Sequence, residues 1–68
     1  MNHTKDQKIE MIVNFVNHHP ESTVSLRVAR ELIGDSPVRR ELGHITELRS
    51  ELEAAEEWVV DSYYYLVK

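Results

Sequence analysis

The sequence has no cysteine, so neither a disulfide nor a thiolate metal site can stabilise the fold. It is also short, with 68 residues, and a domain of this size buries only about 60% of the surface that its unfolded chain exposes. We therefore expect a single domain, residues 1–68, of marginal stability on its own. The absence of cysteine is compatible with a reducing compartment, and we expect the protein to be cytoplasmic.

Long apolar runs are also missing. No segment approaches the roughly 18 consecutive apolar residues of a membrane-spanning helix. The opening stretch, MNHTKDQKIE, lacks the apolar centre of a signal peptide. These absences predict a protein that is not secreted and has no membrane partner.

Patterns that carry catalysis or bind metals are equally scarce. The chain has two glycines, and neither belongs to a glycine-rich loop that could cradle a phosphate. His18 and His19 are adjacent, so they would not converge on one ion from a helix. No serine, histidine and acid set has the context of an activated nucleophile. We therefore expect no enzymatic activity, no cofactor and no metal ion.

Charge is present but unevenly distributed. The net charge is −4, and all five arginines lie between residues 27 and 49. The last third is acidic, with Lys68 as its only cation. Free-standing DNA-binding proteins are usually basic overall, so the distribution allows DNA binding only through one basic face.

Three helices are predicted before residue 56. Thr4 and Gln7 have the spacing of a capping box, and apolar residues then recur at helical spacing up to Pro20, which predicts a helix over residues 5–18. Residues 21–25 could form a very short strand, and Ser25 is a candidate N-cap for a second helix that ends at Gly34. A third helix is expected to begin after Ser36 and to run to about Ala55.

The end of the chain changes character. The segment EEWVVDSYYYLVK is rich in β-branched and aromatic residues around a polar pair, Asp61-Ser62. This pattern predicts a β-hairpin with strands near residues 57–60 and 63–67, and with Trp58 in the core. Three helices followed by a hairpin define the expected fold class: mainly α with a small β-hairpin, a winged helix-turn-helix.

The segment from VSLRVARELIGDSPVRRELGHITELR to YYYLV resembles small winged-helix proteins of bacteriophages and prophages. The similarity covers about residues 24–67. The motifs that carry it are Arg30-Glu31-Leu32, Val38-Arg39, Ile45 to Arg49 and Tyr64-Tyr65-Leu66. The resemblance implies DNA binding, typically in phage regulation, although some members of this group bind proteins instead. The chain departs from the family pattern because its wing has no glycine and would carry Asp61 at its tip.

Double-stranded DNA is therefore the first candidate partner. In a helix-turn-helix the start of the third helix meets the base edges, which predicts base contacts for Arg39, Arg40 and His44. Phosphate contacts are predicted for Arg27, Arg30 and Arg49. A homodimer on a two-fold DNA site would enlarge the small footprint of one chain. Alternatively, the arginines pair with neighbouring glutamates on a solvated face, where such pairs contribute about 0–1 kcal/mol.

A protein partner is the second candidate, as for a phage-encoded inhibitor of a host protein. An acidic surface could bind a basic site on such a partner, and exposed tyrosines are enriched at protein interfaces. The residues that would form this surface are Glu51, Glu53, Glu56, Glu57, Asp61, Tyr63 and Tyr65. The competing interpretations are that the acids keep the protein in solution and that the tyrosines pack in the core.

Overall fold

The computed structural model describes residues 3–34 and 42–68, and for residues 42–44 it describes the backbone alone. Within these ranges the chain forms four α-helices and no β-strand. The helices are α1 (Lys5–His18), α2 (Thr23–Ile33), α3 (Leu42–Ala54) and α4 (Glu57–Val67).

The first helix has the predicted boundaries and the predicted cap. The Thr4 hydroxyl accepts a hydrogen bond from the Gln7 backbone N–H at 3.1 Å, and the Gln7 side chain accepts one from the Thr4 N–H at 2.9 Å. This reciprocal capping box satisfies two donors that a helix start otherwise leaves unpaired. At the other end the His19 N–H bonds to the Phe15 carbonyl, and the helix stops before Pro20.

The second helix begins earlier than predicted. Ser22 is its N-cap, with its hydroxyl accepting from the Val24 N–H at 3.2 Å. The prediction of a strand at residues 21–25 is therefore wrong, and so is the prediction of Ser25 as the cap. Ser25 instead lies buried within α2, and its hydroxyl has no hydrogen-bond partner among the described residues. Gly34 ends α2 with a φ of 98°, a conformation that favours glycine.

The prediction of a C-terminal hairpin is wrong, and so is the predicted winged-helix fold class, because residues 57–67 form α4. Helical spacing brings Val60, Tyr63, Tyr64 and Val67 against the core from one side. The expected turn pair is absorbed by the helix. Asp61 accepts a hydrogen bond from Lys8 of α1, and the Ser62 hydroxyl donates to the Trp58 carbonyl one turn earlier at 3.0 Å.

The core lies around α1, which packs most extensively against α4 and α3, while α2 packs chiefly on α3. Lys5 of α1 also donates to two carbonyls at the end of α3, Glu53 at 3.2 Å and Ala55 at 2.7 Å. Cations suit the C-terminus of a helix, where carbonyl groups lack partners. The buried hydrophobic cluster consists of Ile9, Ile12, Val13, Val16, Val28, Leu48, Leu52 and Val60.

The third helix was predicted to begin after Ser36, and that start lies outside the described residues. Its end at Ala54 is within one residue of the predicted end. None of the helices in the described part of the chain is long and apolar enough to span a bilayer.

Candidate functional site

The fourth helix has two apolar faces, only one of which contributes to the core. Val60 is fully buried on the inner side. On the opposite side Trp58 is 68% exposed and Tyr65 is 64% exposed. We call this second side the outer face of α4, and it consists of Trp58, Val59, Ser62, Tyr65 and Leu66.

The prediction of Trp58 as a core residue is therefore wrong. In a strand, residues 58 and 60 would point to the same side, so Trp58 and Val60 would share the core. In a helix, residues two positions apart in the sequence, such as 58 and 60, point about 200° apart around the axis. Burial of Val60 therefore turns Trp58 into solvent.

A groove of about 320 Å³ runs along the outer face, between α4 and α2. Its α4 wall is largely apolar, and its α2 wall is polar. Grooves of this kind, lined by apolar side chains with a few polar groups, are where proteins bind ligands and partner segments. The lining residues are Arg27, Glu31, Trp58, Val59, Ser62, Tyr63 and Leu66.

A hydrogen-bonded chain forms the polar wall of the groove. The Tyr63 hydroxyl donates to one Glu31 oxygen at 2.8 Å, and Arg27 Nε donates to the other at 3.2 Å. The Tyr63 hydrogen bond, reinforced by Arg27, holds the pKa of Glu31 below its ordinary value. Partial burial, together with the charge and hydrogen bond of Glu31, raises the pKa of Tyr63 to about 12. At neutral pH Glu31 is therefore ionised, Tyr63 is protonated, and the charge of Arg27 is compensated within the molecule.

The two ends of the outer face carry opposite charges. At the start of α4, the Trp58 indole N–H donates to the Glu56 carboxylate at 2.8 Å. At the other end, the Lys68 ammonium lies 4.4 Å from the centre of the Tyr65 ring, a cation–π distance. These contacts hold one carboxylate and one ammonium beside the exposed aromatic rings.

The structure describes only some of the residues that were predicted to bind DNA. Arg39 and Arg40 lie outside the described residues, as does the side chain of His44, whose backbone belongs to α3. Of the three arginines whose side chains are described, two pair with carboxylates of the same chain. Arg27 pairs with Glu31, and Arg49 pairs with Glu10 of α1. Arg30 is exposed near the end of α2.

The predicted acidic surface divides into two parts. Glu51 and Glu53 are exposed on α3. Asp61, expected at the tip of a wing, instead bonds Lys8 of α1 at 2.5 Å, and Glu57 lies 3.9 Å from the same ammonium. The Asp61 hydrogen bond outweighs partial desolvation and raises the pKa of Lys8. Two of the predicted partner-binding acids therefore stabilise the contact between α1 and α4.

The two predicted tyrosines also separate. Tyr63 is half-buried, and its hydroxyl is committed to Glu31, whereas Tyr65 is exposed on the outer face. Sequence reasoning missed Trp58 as a surface residue and Lys68 as the charged neighbour of Tyr65 on the same face. The exposed side of α4 could have been found from the spacing of Trp58, Ser62 and Tyr65, which occupy positions i, i+4 and i+7 of one helix face.

Comparison with protein-family models, with curated proteins and with solved structures found no match. In the part of the chain that the structure describes, no group of three or more histidine or acidic side chains could hold a metal ion.

Proposed function

We propose that this chain is a small acidic helical module that binds another protein chain through the outer face of α4. The main observation that supports this proposal is the exposure of two large aromatic side chains, Trp58 and Tyr65, on one side of one helix. Tryptophan and tyrosine dominate the energetics of protein interfaces because they bury a large area with little loss of side-chain entropy. An exposed aromatic face beside a groove is therefore more favourable when a helix of a partner packs against it than when it is in water.

The composition of the surroundings supports a protein partner over DNA. The net charge is −4, and the carboxylate at one end of the outer face offsets the ammonium at the other, so this face does not attract phosphates as a basic surface would. Arg27 and Arg49 are engaged by carboxylates of the same chain. DNA binding through Arg39 and Arg40 stays a prediction from the sequence, without the wing that the resemblance implied. Inhibition of a host protein and a cytoplasmic location likewise stay predictions.

The proposal is tested by photo-crosslinking in cells that naturally produce the protein. A benzophenone amino acid replaces Tyr65, an exposed aromatic residue of the outer face, and the matched control carries it at Asn17, which is exposed on α1. We expect a discrete protein adduct from position 65 and none from position 17. Equal labelling at both positions, or no adduct at position 65, would contradict the proposal.

A DNA titration separates the competing class. Mixed-sequence duplex DNA is added to the purified protein at low salt and at increasing salt concentrations. We expect no binding that depends on Arg39 and Arg40. Binding that weakens steeply with salt and is lost in the Arg39→Ala, Arg40→Ala variant would replace the protein-binding proposal with the DNA-binding one.

A further inference from the structure

The outer face of α4 has its smallest side chain at its centre. Ser62 is the middle residue of the helix Glu57–Val67, with Trp58 four residues before it and Leu66 four residues after it. A small residue at the crossing point lets two helices approach closely, while large residues on either side fill the space around it. When two copies of α4 run antiparallel and cross at Ser62, Trp58 of each copy lies opposite Leu66 of the other. Val59 then lies opposite Tyr65.

The charges at the two ends of the face match the same arrangement. The Glu56 carboxylate is held beside Trp58, and the Lys68 ammonium is held over Tyr65. Glu56 and Lys68 are each six residues from Ser62, on opposite sides of it. An antiparallel pair therefore brings each carboxylate to the other copy's ammonium. A parallel pair would instead oppose like charges at both ends.

From this complementarity we propose that the outer face of α4 is occupied by the α4 of a second copy of this chain, packed antiparallel about a two-fold axis near Ser62. The inference rests on the proposed function and names the partner of the same surface. Such an interface is isologous, since each copy contributes the same residues. Self-pairing also explains how apolar residues on both sides of α4 can be buried.

The size of the face sets the expected strength of the dimer. A helix of 11 residues is about 16 Å long at 1.5 Å per residue. A stable complex buries about 800 Å² on each partner, and the whole accessible surface of the chain is 4691 Å². Contact through α4 alone falls short of that area, although the polar wall of the groove on α2 adds to it. We therefore expect a reversible dimer whose population rises with protein concentration.

Sedimentation equilibrium over a wide range of protein concentration tests the proposal. The wild-type chain is expected to pass from monomer to dimer. Trp58→Ala is expected to weaken dimerisation by about 100-fold or more, because each dimer loses the side chain twice. Asn17→Ala is the matched control and is expected to leave the equilibrium unchanged. A wild-type chain that stays monomeric throughout would overturn the inference.

A charge reversal tests the antiparallel register. Glu56→Lys alone and Lys68→Glu alone are each expected to weaken the dimer by about 10-fold, because both end pairs become repulsive. The double variant restores opposite charges and is expected to recover the wild-type equilibrium. Circular dichroism on each variant checks that the helices are retained. Two single losses without recovery in the double variant would overturn the register.

A cysteine variant gives a second and independent measurement. The chain has no cysteine, so Ser62→Cys introduces the only thiol. Helices crossing there bring the two Cα atoms within the 4.4–6.8 Å or so that a disulfide requires. We expect rapid oxidation to a covalent dimer, and much slower oxidation of Asn17→Cys. Equal rates at the two positions would count against a crossing at Ser62.

The outcomes for the inference and for the proposed function are distinguishable. A monomeric wild-type chain whose position 65 crosslinks to a different protein overturns self-pairing and supports the protein-interaction module. A monomeric chain without any adduct at position 65 overturns both. A dimer with an adduct of twice the mass of the chain supports both.

Discussion

The first and fourth helices pack against each other, yet they are stabilised in different ways. α1 begins with a reciprocal side-chain cap and buries one face, formed by Ile9, Ile12, Val13 and Val16. α4 begins at Glu57, its N-cap Glu56 makes no side-chain cap hydrogen bond, and its apolar residues lie on both sides. α1 is therefore specified by short-range signals, whereas α4 depends on contacts made across the fold.

The difference has a functional side. A helix with one apolar face needs only the core of its own domain, and its polar face is satisfied by water. A helix with a second apolar face leaves surface for which water is a poor solvent. In this chain that surface is the outer face of α4, on the helix that was not recognised as helical from the sequence.

Truncating the core face of α1 should give the largest effect. Ile12→Ala removes a fully buried side chain at the centre of the cluster and is expected to lower the free energy of unfolding by about 2–5 kcal/mol. A chain of this size has a total of roughly 3–10 kcal/mol, so the loss is severe. Urea denaturation followed by circular dichroism at 222 nm measures it.

Trp58→Ala is the control for that experiment on α4. Its side chain is mostly exposed, so at protein concentrations where the chain is monomeric we expect a change within about 0.5 kcal/mol. A loss from Trp58→Ala comparable to that from Ile12→Ala would mean that the outer face is packed within the monomer, and the contrast between the two helices would fail.

Substitutions at the helix caps should have the next largest effect on stability. Thr4→Ala removes the hydroxyl that accepts from the Gln7 N–H and is expected to cost about 1 kcal/mol, a typical value for loss of an N-cap. The measurement is again urea denaturation. Glu56→Asp supplies the missing counterpart on α4, because aspartate is among the best N-cap residues, and should stabilise the protein. If Glu56→Asp has no effect while Thr4→Ala destabilises, the start of α4 is already satisfied by other contacts.

The same contrast between α1 and α4 explains which parts of the fold could be predicted from the sequence. The boundaries of α1 could be predicted because its cap, its apolar period and the proline that follows it agree. In α4, the β-branched and aromatic composition favoured a strand, but β-propensity depends strongly on context. The apolar residues at 60, 63, 64 and 67 also fit a helical period, and the contacts with α1 decide in its favour. Those contacts join residues about 50 positions apart, so no short window of sequence contains them.

The candidate site was predictable only in part, for the same reason. Tyr65 was predicted for a protein interface and lies on the outer face, but Asp61 and Glu57 turned out to pair with Lys8. Trp58 was assigned to the core because its side of the chain depends on whether the segment is a strand or a helix. One error in secondary structure therefore moved the most exposed aromatic residue to the wrong side of the molecule.

Tyr63 should make the stability of the protein sensitive to alkaline pH. Folding raises its pKa from 10.0 to about 12, so its contribution is complete below pH 10 and is lost as the pH rises through 12. Absorbance at 295 nm should show one tyrosine ionising near pH 12 in the wild type, and this step should be missing in Tyr63→Phe. Tyr63→Phe should also raise the pKa of Glu31, which the Tyr63 hydroxyl lowers. If the step near pH 12 persists in the variant, it belongs to another tyrosine, and the assignment of the raised pKa to Tyr63 is wrong.

The smallest expected effect concerns the ion pair that joins the two helices. Asp61 raises the pKa of Lys8 above 10.5, so the pair stabilises the fold at neutral pH and is lost as the pH rises through that raised value. Titration of the Lys8 side chain by carbon-13 NMR should show a lower pKa in Asp61→Asn than in the wild type. Asp6→Asn is the matched control, because Asp6 is an exposed acid in the first turn of α1. An equal shift in both variants would mean that general charge sets the pKa of Lys8. A shift only in Asp61→Asn would show that α4 gains part of its stability from α1, through a contact that its own sequence does not contain.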